Sequence, residues 1–257
     1  MNTLARDGVR IAYEEDGTAA EPIVFVHGWC CDHRYFAPQF AHFSARHRVV
    51  ALDQRGFGAS DKPQQKYTIE GFADDVAWLC RELGLVRPAV VGHSMGGAIA
   101  LALAARHPDL PRAIALCDPA VVLPSYVRDT LGPFAQALLA PGYREVATQF
   151  VEQRLFGPSD DPARKARILA EMCATPQHVM QSAFESLAAF DSDSAARACR
   201  VPVLLIDAEV PLPDRARFKE LCPQLVCAQT AGAGHFHQLE VPEQVNAMLE
   251  RFLYTNR

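Results

Sequence analysis

The pentapeptide Gly92-His93-Ser94-Met95-Gly96 constrains this chain more than any other feature. It stands between Pro88-Ala89-Val90-Val91-Gly92, a short continuous apolar run, and the Ala- and Leu-rich stretch from Gly96 to Arg106, with Pro108 just beyond. The first run suits a strand buried on both faces of a parallel sheet, and the second suits a helix. The chain must therefore turn sharply from strand to helix at a serine. Such a turn strains the serine backbone and lifts its hydroxyl above the sheet. Small residues flank it because the turn crowds its neighbours. The following helix points the positive end of its dipole at any anion formed there. Ser94 is thus the candidate nucleophile.

Strand and helix patterns alternate on either side. Ile23-Val24-Phe25-Val26, Arg48 to Asp53 and Ala113 to Cys117 are further apolar runs. Ile69, Phe72, Ala73, Val76, Leu79, Cys80 and Leu83 fall at helical spacing, and Gly84 marks a stop. This alternation predicts βαβ units and an α/β fold. From about Pro119 to Arg200 the pattern changes to helical composition with scattered prolines and an acidic turn at Gly157-Pro158-Ser159-Asp160-Asp161-Pro162. Strand-like runs resume at Val201 to Asp207 and Leu225 to Ala228, and an amphipathic helix follows over Val241 to Phe252. The expected division is a core of residues 1–119 and 200–257 with a helical cap of residues 120–199 over one end of the sheet.

Composition excludes several classes. With 25 basic and 30 acidic residues the net charge is −5, which argues against a nucleic-acid partner. A hydrophobic share of 49% argues against disorder. No run of 18 apolar residues is present, so no membrane span is expected. The start, MNTLARDGVRIAYEEDG, reads as mature protein without a signal core. Eight cysteines include no CxxC pair and no metal-ligand spacing. They read as reduced thiols in a cytoplasmic protein, and no metal is expected. Nothing in the sequence speaks to oligomeric state.

Several blocks together resemble the α/β-hydrolase superfamily in its cap-bearing form. His27-Gly28-Trp29 resembles its oxyanion loop, and Asp53-Gln54-Arg55-Gly56-Phe57-Gly58-Ala59-Ser60 the turn after its fourth strand. Gly92 to Gly97 resembles its nucleophile elbow and Gly234-His235-Phe236 its catalytic-histidine loop. The resemblance implies a mostly parallel eight-stranded sheet flanked by helices; no phosphate loop, dinucleotide fingerprint or metal constellation appears in the sequence, so no cofactor is expected. It implies His235 as the base and the backbone N–H groups of Trp29 and Met95 as the oxyanion hole. His93 is expected to pack under the elbow, and His27 to bond within its own loop.

The triad acid departs from the commoner pattern. About five residues past the strand ending at Ile206 stands Pro211, which has no carboxylate. Asp207 is too close to the strand end, Asp214 reads better as a helix N-cap, and Glu209 would need a loop shift. Some relatives, the haloalkane dehalogenases and cofactor-free heteroaromatic ring dioxygenases among them, take the acid from the end of the preceding strand. Here that residue is Asp118, the preferred candidate.

The leading expectation is a serine hydrolase of a small ester or lactone through Ser94, His235 and Asp118. The alternative is a cofactor-free 3-hydroxy-4-quinolone-type 2,4-dioxygenase using the His-Asp pair. Gly28-Trp29-Cys30-Cys31-Asp32-His33 resembles that group's Gly-Trp-Cys-x-Asp-His loop, but Cys31 and Met95 stand where that group has histidines. A C–C bond hydrolase of ring-fission products and a binding receptor with little turnover are further readings. A dehalogenase is excluded, because its nucleophile is Asp. Trp29, Cys30, Phe134 and Phe190 are the expected substrate contacts, for an apolar or aromatic small molecule. Few basic residues stand near the motifs; Arg55 is the one candidate for an anionic group.

Overall fold

The continuous apolar runs form the centre of an eight-stranded sheet. The computed structural model describes residues 1–157 and 160–256; Pro158 and Ser159 of the acidic turn lie outside them. The strands are β1 (Asn2–Arg6), β2 (Val9–Asp16), β3 (Ile23–Val26), β4 (Val49–Leu52), β5 (Ala89–His93), β6 (Ala113–Cys117), β7 (Val203–Asp207) and β8 (Leu225–Gln229). Every residue of β3 to β7 is buried, which is why these strands are apolar without alternation. The spatial order is β1-β2-β4-β3-β5-β6-β7-β8. β2 pairs antiparallel with β1 and β4, and the remaining pairs are parallel.

Helices cover both faces. On one, α1 (Ala37–Ser44) and α11 (Pro242–Thr255) bury Phe43, Val245, Leu249 and Phe252 against Phe25 and Ile206. On the other, α2 (Ile69–Glu82) and α3 (Met95–Arg106) pack together. Met95 to Ala104 of α3 is buried throughout, so this helix fits only Ala, Gly and apolar side chains.

Between β6 and β7 lie α4 (Ser125–Ala137), α5 (Tyr143–Arg154), α6 (Pro162–Cys173), α7 (Gln177–Ala189) and α8 (Ser192–Ala198). α4 packs on α7 and α5 on α6, whereas α8 packs on α3 and on α9 (Arg215–Leu221), beside the sheet. The short α10 (His237–Glu240) precedes α11. The order of the parallel strands reverses between β3 and β5, and the crevice at their carboxyl ends is where such sheets bind ligands.

Candidate active site

Ser94 sits between β5 and α3 at φ 54°, ψ −117°, in the left-handed region a serine rarely adopts. Hydrogen bonds hold it there. Its N–H donates to the Cys117 carbonyl (3.0 Å), and its carbonyl accepts from Gly97 (2.9 Å) and Ala120 (3.2 Å). Backbone approaches closely from two sides. A Cβ on Gly92 would stand 2.1 Å from the Gly96 carbonyl oxygen, and one on Gly96 2.0 Å from that of Val26. Neither position admits a side chain.

Asp118 follows β6, the neighbour of β5, and is itself at φ 40°. Its Oδ2 lies 2.6 Å from His235 Nδ1, the length of a strong charge-assisted hydrogen bond. Both side chains are under a tenth exposed. Below them, His93 packs its ring 4.6 Å from that of His235. Its Nε2–H donates to the His235 carbonyl (2.8 Å), so His93 packs under the elbow and also pins the histidine loop. Burial, with His235 and His237 nearby, holds the His93 pKa well below the ordinary histidine value. His237 is fully buried and lies 3.2 Å from the Thr230 hydroxyl through Nδ1. Burial pushes its pKa down to about 4.

The other carboxylates are engaged elsewhere. Asp207, at the end of β7, is fully buried and accepts from Arg215. Burial pushes it up to about 6 against the pull of Arg215. Asp214 caps α9 by accepting the Arg217 N–H (3.0 Å). Glu209 lies in the cavity wall with its backbone tied to Ala233 (2.9 Å).

The loop after β3 runs beside the elbow: a Cβ on Gly28 would lie 3.3 Å from Ser94 Cβ. His27 fixes this loop by donating from Nδ1 to the Gly28 carbonyl (2.8 Å) and accepting the Gln54 N–H at Nε2 (3.0 Å). Neither the Trp29 N–H nor the Met95 N–H donates to an acceptor among the described residues.

Ser94, His235, Asp118 and Trp29 all line one cavity of about 520 Å³, within the usual range for small-molecule sites. Leu131, Phe150, Phe156, Phe184 and Phe236 give it apolar walls. Trp29 meets Phe134, Phe150 and Phe184 edge-on and donates from its indole nitrogen to the Met180 carbonyl (2.9 Å).

Three expected contacts are not in the lining. Cys30 takes φ 57°, which turns its thiol toward Thr175, and Cys31 faces the cavity in its place. Phe134 stacks behind Phe150 at 4.0 Å, so the second ring presents the surface. Phe190 lies past the end of α7 and packs against the core. Arg55 is also elsewhere, bound through two 2.8 Å hydrogen bonds to Asp75. The cation that does line the cavity is Arg154, the last residue of α5, which the sequence reading missed. No motif marks it; only the path of α5 brings it there.

One group with metal-ligating atoms comes together among the described residues: Asp32, His33 and Asp53. Its atoms already serve the fold. Asp53 accepts from the His33 ring (2.8 Å) and the Ala59 N–H (2.7 Å), and Asp32 pairs with Arg34. No helix among the described residues is long and apolar enough to cross a membrane.

The sequence model of the α/β hydrolase fold matches residues 21–242. The chain belongs to the α/β-hydrolase family. It is similar to the 2-(acetamidomethylene)succinate hydrolase of Mesorhizobium japonicum, at 27% identity over 90% of this chain and 87% of that protein. The enol-lactonase of Burkholderia xenovorans superposes with a TM-score of 0.86 at 26% identity, over 98% of this chain and 100% of the other. A thermophilic esterase of Thermogutta terrifontis, with malate bound, superposes at 0.85 and 26% identity over 98% and 96%. This α/β-hydrolase is an enzyme, and the relatives named here are a hydrolase, a lactonase and an esterase, which supports hydrolase activity.

Proposed function

We propose that this hydrolase cleaves a small carboxylic ester or lactone through an acyl-enzyme on Ser94. The observation that carries the proposal is the 2.6 Å contact of His235 Nδ1 with Asp118 Oδ2 inside the cavity that Ser94 lines. Ser94 Oγ attacks the carbonyl carbon as His235 Nε2 takes the hydroxyl proton. Asp118 holds the Nδ1–H tautomer and balances the imidazolium that forms. The Trp29 and Met95 N–H groups, free of other acceptors among the described residues, receive the oxyanion. His235 returns the proton to the leaving alkoxide, then activates a water that releases the acid. In a lactone the alkoxide stays tethered, so one hydroxy acid leaves.

The residues between β6 and β7 act as a cap whose aromatic side chains, Phe150, Phe156 and Phe184, shield the acyl group from water. The cavity suits a short or cyclic acyl group. The enol-lactonase and esterase named above support the two substrate types. A fluorophosphonate probe tests the nucleophile without a known substrate. Peptide mapping should find one adduct, on Ser94, and none in Ser94→Ala. Labelling that survives Ser94→Ala would refute the proposal.

A further inference from the structure

The loop that carries His235 is gripped by a buried charge cluster assembled from two distant parts of the chain. Glu240, the last residue of α10, accepts the Gly234 N–H through Oε2 (3.0 Å), one residue before His235. Asp160, from the segment between β6 and β7, accepts the Gly157 N–H through Oδ2 (2.7 Å). A methyl group on Gly234 would stand 3.4 Å from Glu240 Oε1 and 3.5 Å from Asp160 Oδ2. Two carboxylates therefore converge on one backbone carbon, with side chains only 6% and 2% exposed. Arg164, in the first turn of α6, stands beside both. Its guanidinium is 3.3 Å from Asp160 Oδ1 and 3.9 Å from Glu240 Oε2.

One cation shared by two buried carboxylates leaves an excess negative charge in a poorly solvated place. Like charges there disfavour ionisation, and a single guanidinium offsets this. Glu240 responds as that balance dictates. Burial and Asp160 raise its pKa, while Arg164 and the N–H groups of Gly234 and Phe236 pull it back. The neighbouring titratable groups have partners of their own: Lys165 pairs with Glu152 (3.1 Å) and His235 with Asp118.

We infer that Arg164 and Glu240 are positioning residues for His235. The guanidinium on α6 allows Glu240 to hold the Gly234 amide, so the imidazole is correctly set only while the segment carrying Asp160 and Arg164 is seated on the histidine loop. The inference rests on the reading of His235 as the base.

The test compares wild type, Arg164→Gln, Glu240→Gln, Glu240→Ala and the Arg164→Gln/Glu240→Gln double variant on p-nitrophenyl butyrate from pH 6 to 9. Hydrogen exchange of the 230–240 peptide is followed in parallel. Arg164→Gln should lose about tenfold in kcat at pH 8 with KM little changed, because small misplacements of a reacting group are costly. Its deficit relative to wild type should shrink as the pH falls, because losing Arg164 raises the Glu240 pKa further and protonation relieves the repulsion. The double variant should recover most of kcat, since an amide still accepts from Gly234 without the repulsion. Glu240→Gln alone should stay near wild type, and Glu240→Ala should resemble Arg164→Gln. Exchange of the 230–240 peptide at pH 8 should quicken in Arg164→Gln and return in the double variant. A loss that is independent of pH and not rescued would overturn the inference, as would unchanged exchange in Arg164→Gln. Wild-type protein without Ser94-dependent turnover would instead defeat the base reading, and the exchange result would still decide the inference.

Discussion

Asp118 reaches His235 across 117 residues of sequence, from the end of β6 rather than from the loop after β7. Glu209 and Pro211 on that later loop line the cavity but leave the Nδ1 side of the imidazole to Asp118. Asp118→Asn should lower kcat on p-nitrophenyl butyrate by about 10⁴, because an amide no longer holds the working tautomer. Glu209→Gln and Asp214→Asn should keep kcat within about threefold of wild type, since neither side chain serves the imidazole. A large loss in Glu209→Gln with activity in Asp118→Asn would move the acid.

His237 gives stability a pH dependence of fixed sign. Its folded pKa is about 4 against an ordinary value of 6.5. The unfolded chain therefore binds the proton more readily between these values, and stability falls as pH drops through that window. The full effect is about 3 kcal/mol. Asp207 works oppositely. Its pKa of about 6 makes the folded state bind the extra proton, so its contribution weakens as pH rises toward 6. Urea unfolding at pH 7 and pH 4.5 should show a smaller acid loss in His237→Gln than in wild type.

Trp29 ties the loop after β3 to α7, one of the helices between β6 and β7. Trp29→Phe keeps the ring but leaves the Met180 carbonyl unpaired and buried, which costs about 1–3 kcal/mol. Trp29→Ala also opens a void beside Phe134, Phe150 and Phe184 and should cost about 3–5 kcal/mol. Denaturant midpoints of the two variants check the order.

Arg154 and Glu209 place opposite charges on the cavity wall. Both are exposed, so each effect is modest. Arg154→Gln should lower kcat/KM by about two- to fivefold for a p-nitrophenyl hemiester bearing a terminal carboxylate, and leave the butyrate ester unchanged. Glu209→Gln should shift the same ratio the other way, and both effects should shrink in high salt.

How much of this was legible depends on what each residue's place rests on. β3 to β7 read directly because burial on both faces leaves an unbroken apolar run. β1 is the edge strand and has no buried residue, its neighbour β2 mixes exposed residues with buried ones, and both enter the expected eight only through the family resemblance. Their signal was the Asp7-Gly8 turn, at φ 51° and 77°, a strong hairpin pair. The elbow read well because steric crowding dictates its glycines locally. The cavity lining did not. Whether Cys30 or Cys31 faces the cavity turns on one backbone angle, and whether Phe134 or Phe150 does turns on which ring of a stacked pair lies in front. The grip of Glu240 on Gly234 joins with a charge on α6 that no local spacing announces.

The most direct test of the account is Ser94→Ala, assayed for p-nitrophenyl butyrate hydrolysis and for oxygen uptake with a 3-hydroxy-4-quinolone. Hydrolysis should fall by at least about 10³ in Ser94→Ala, and neither protein should consume oxygen. Oxygen uptake that survives Ser94→Ala and disappears in Asp118→Asn would contradict it, and would make the His235–Asp118 pair the whole of the machinery.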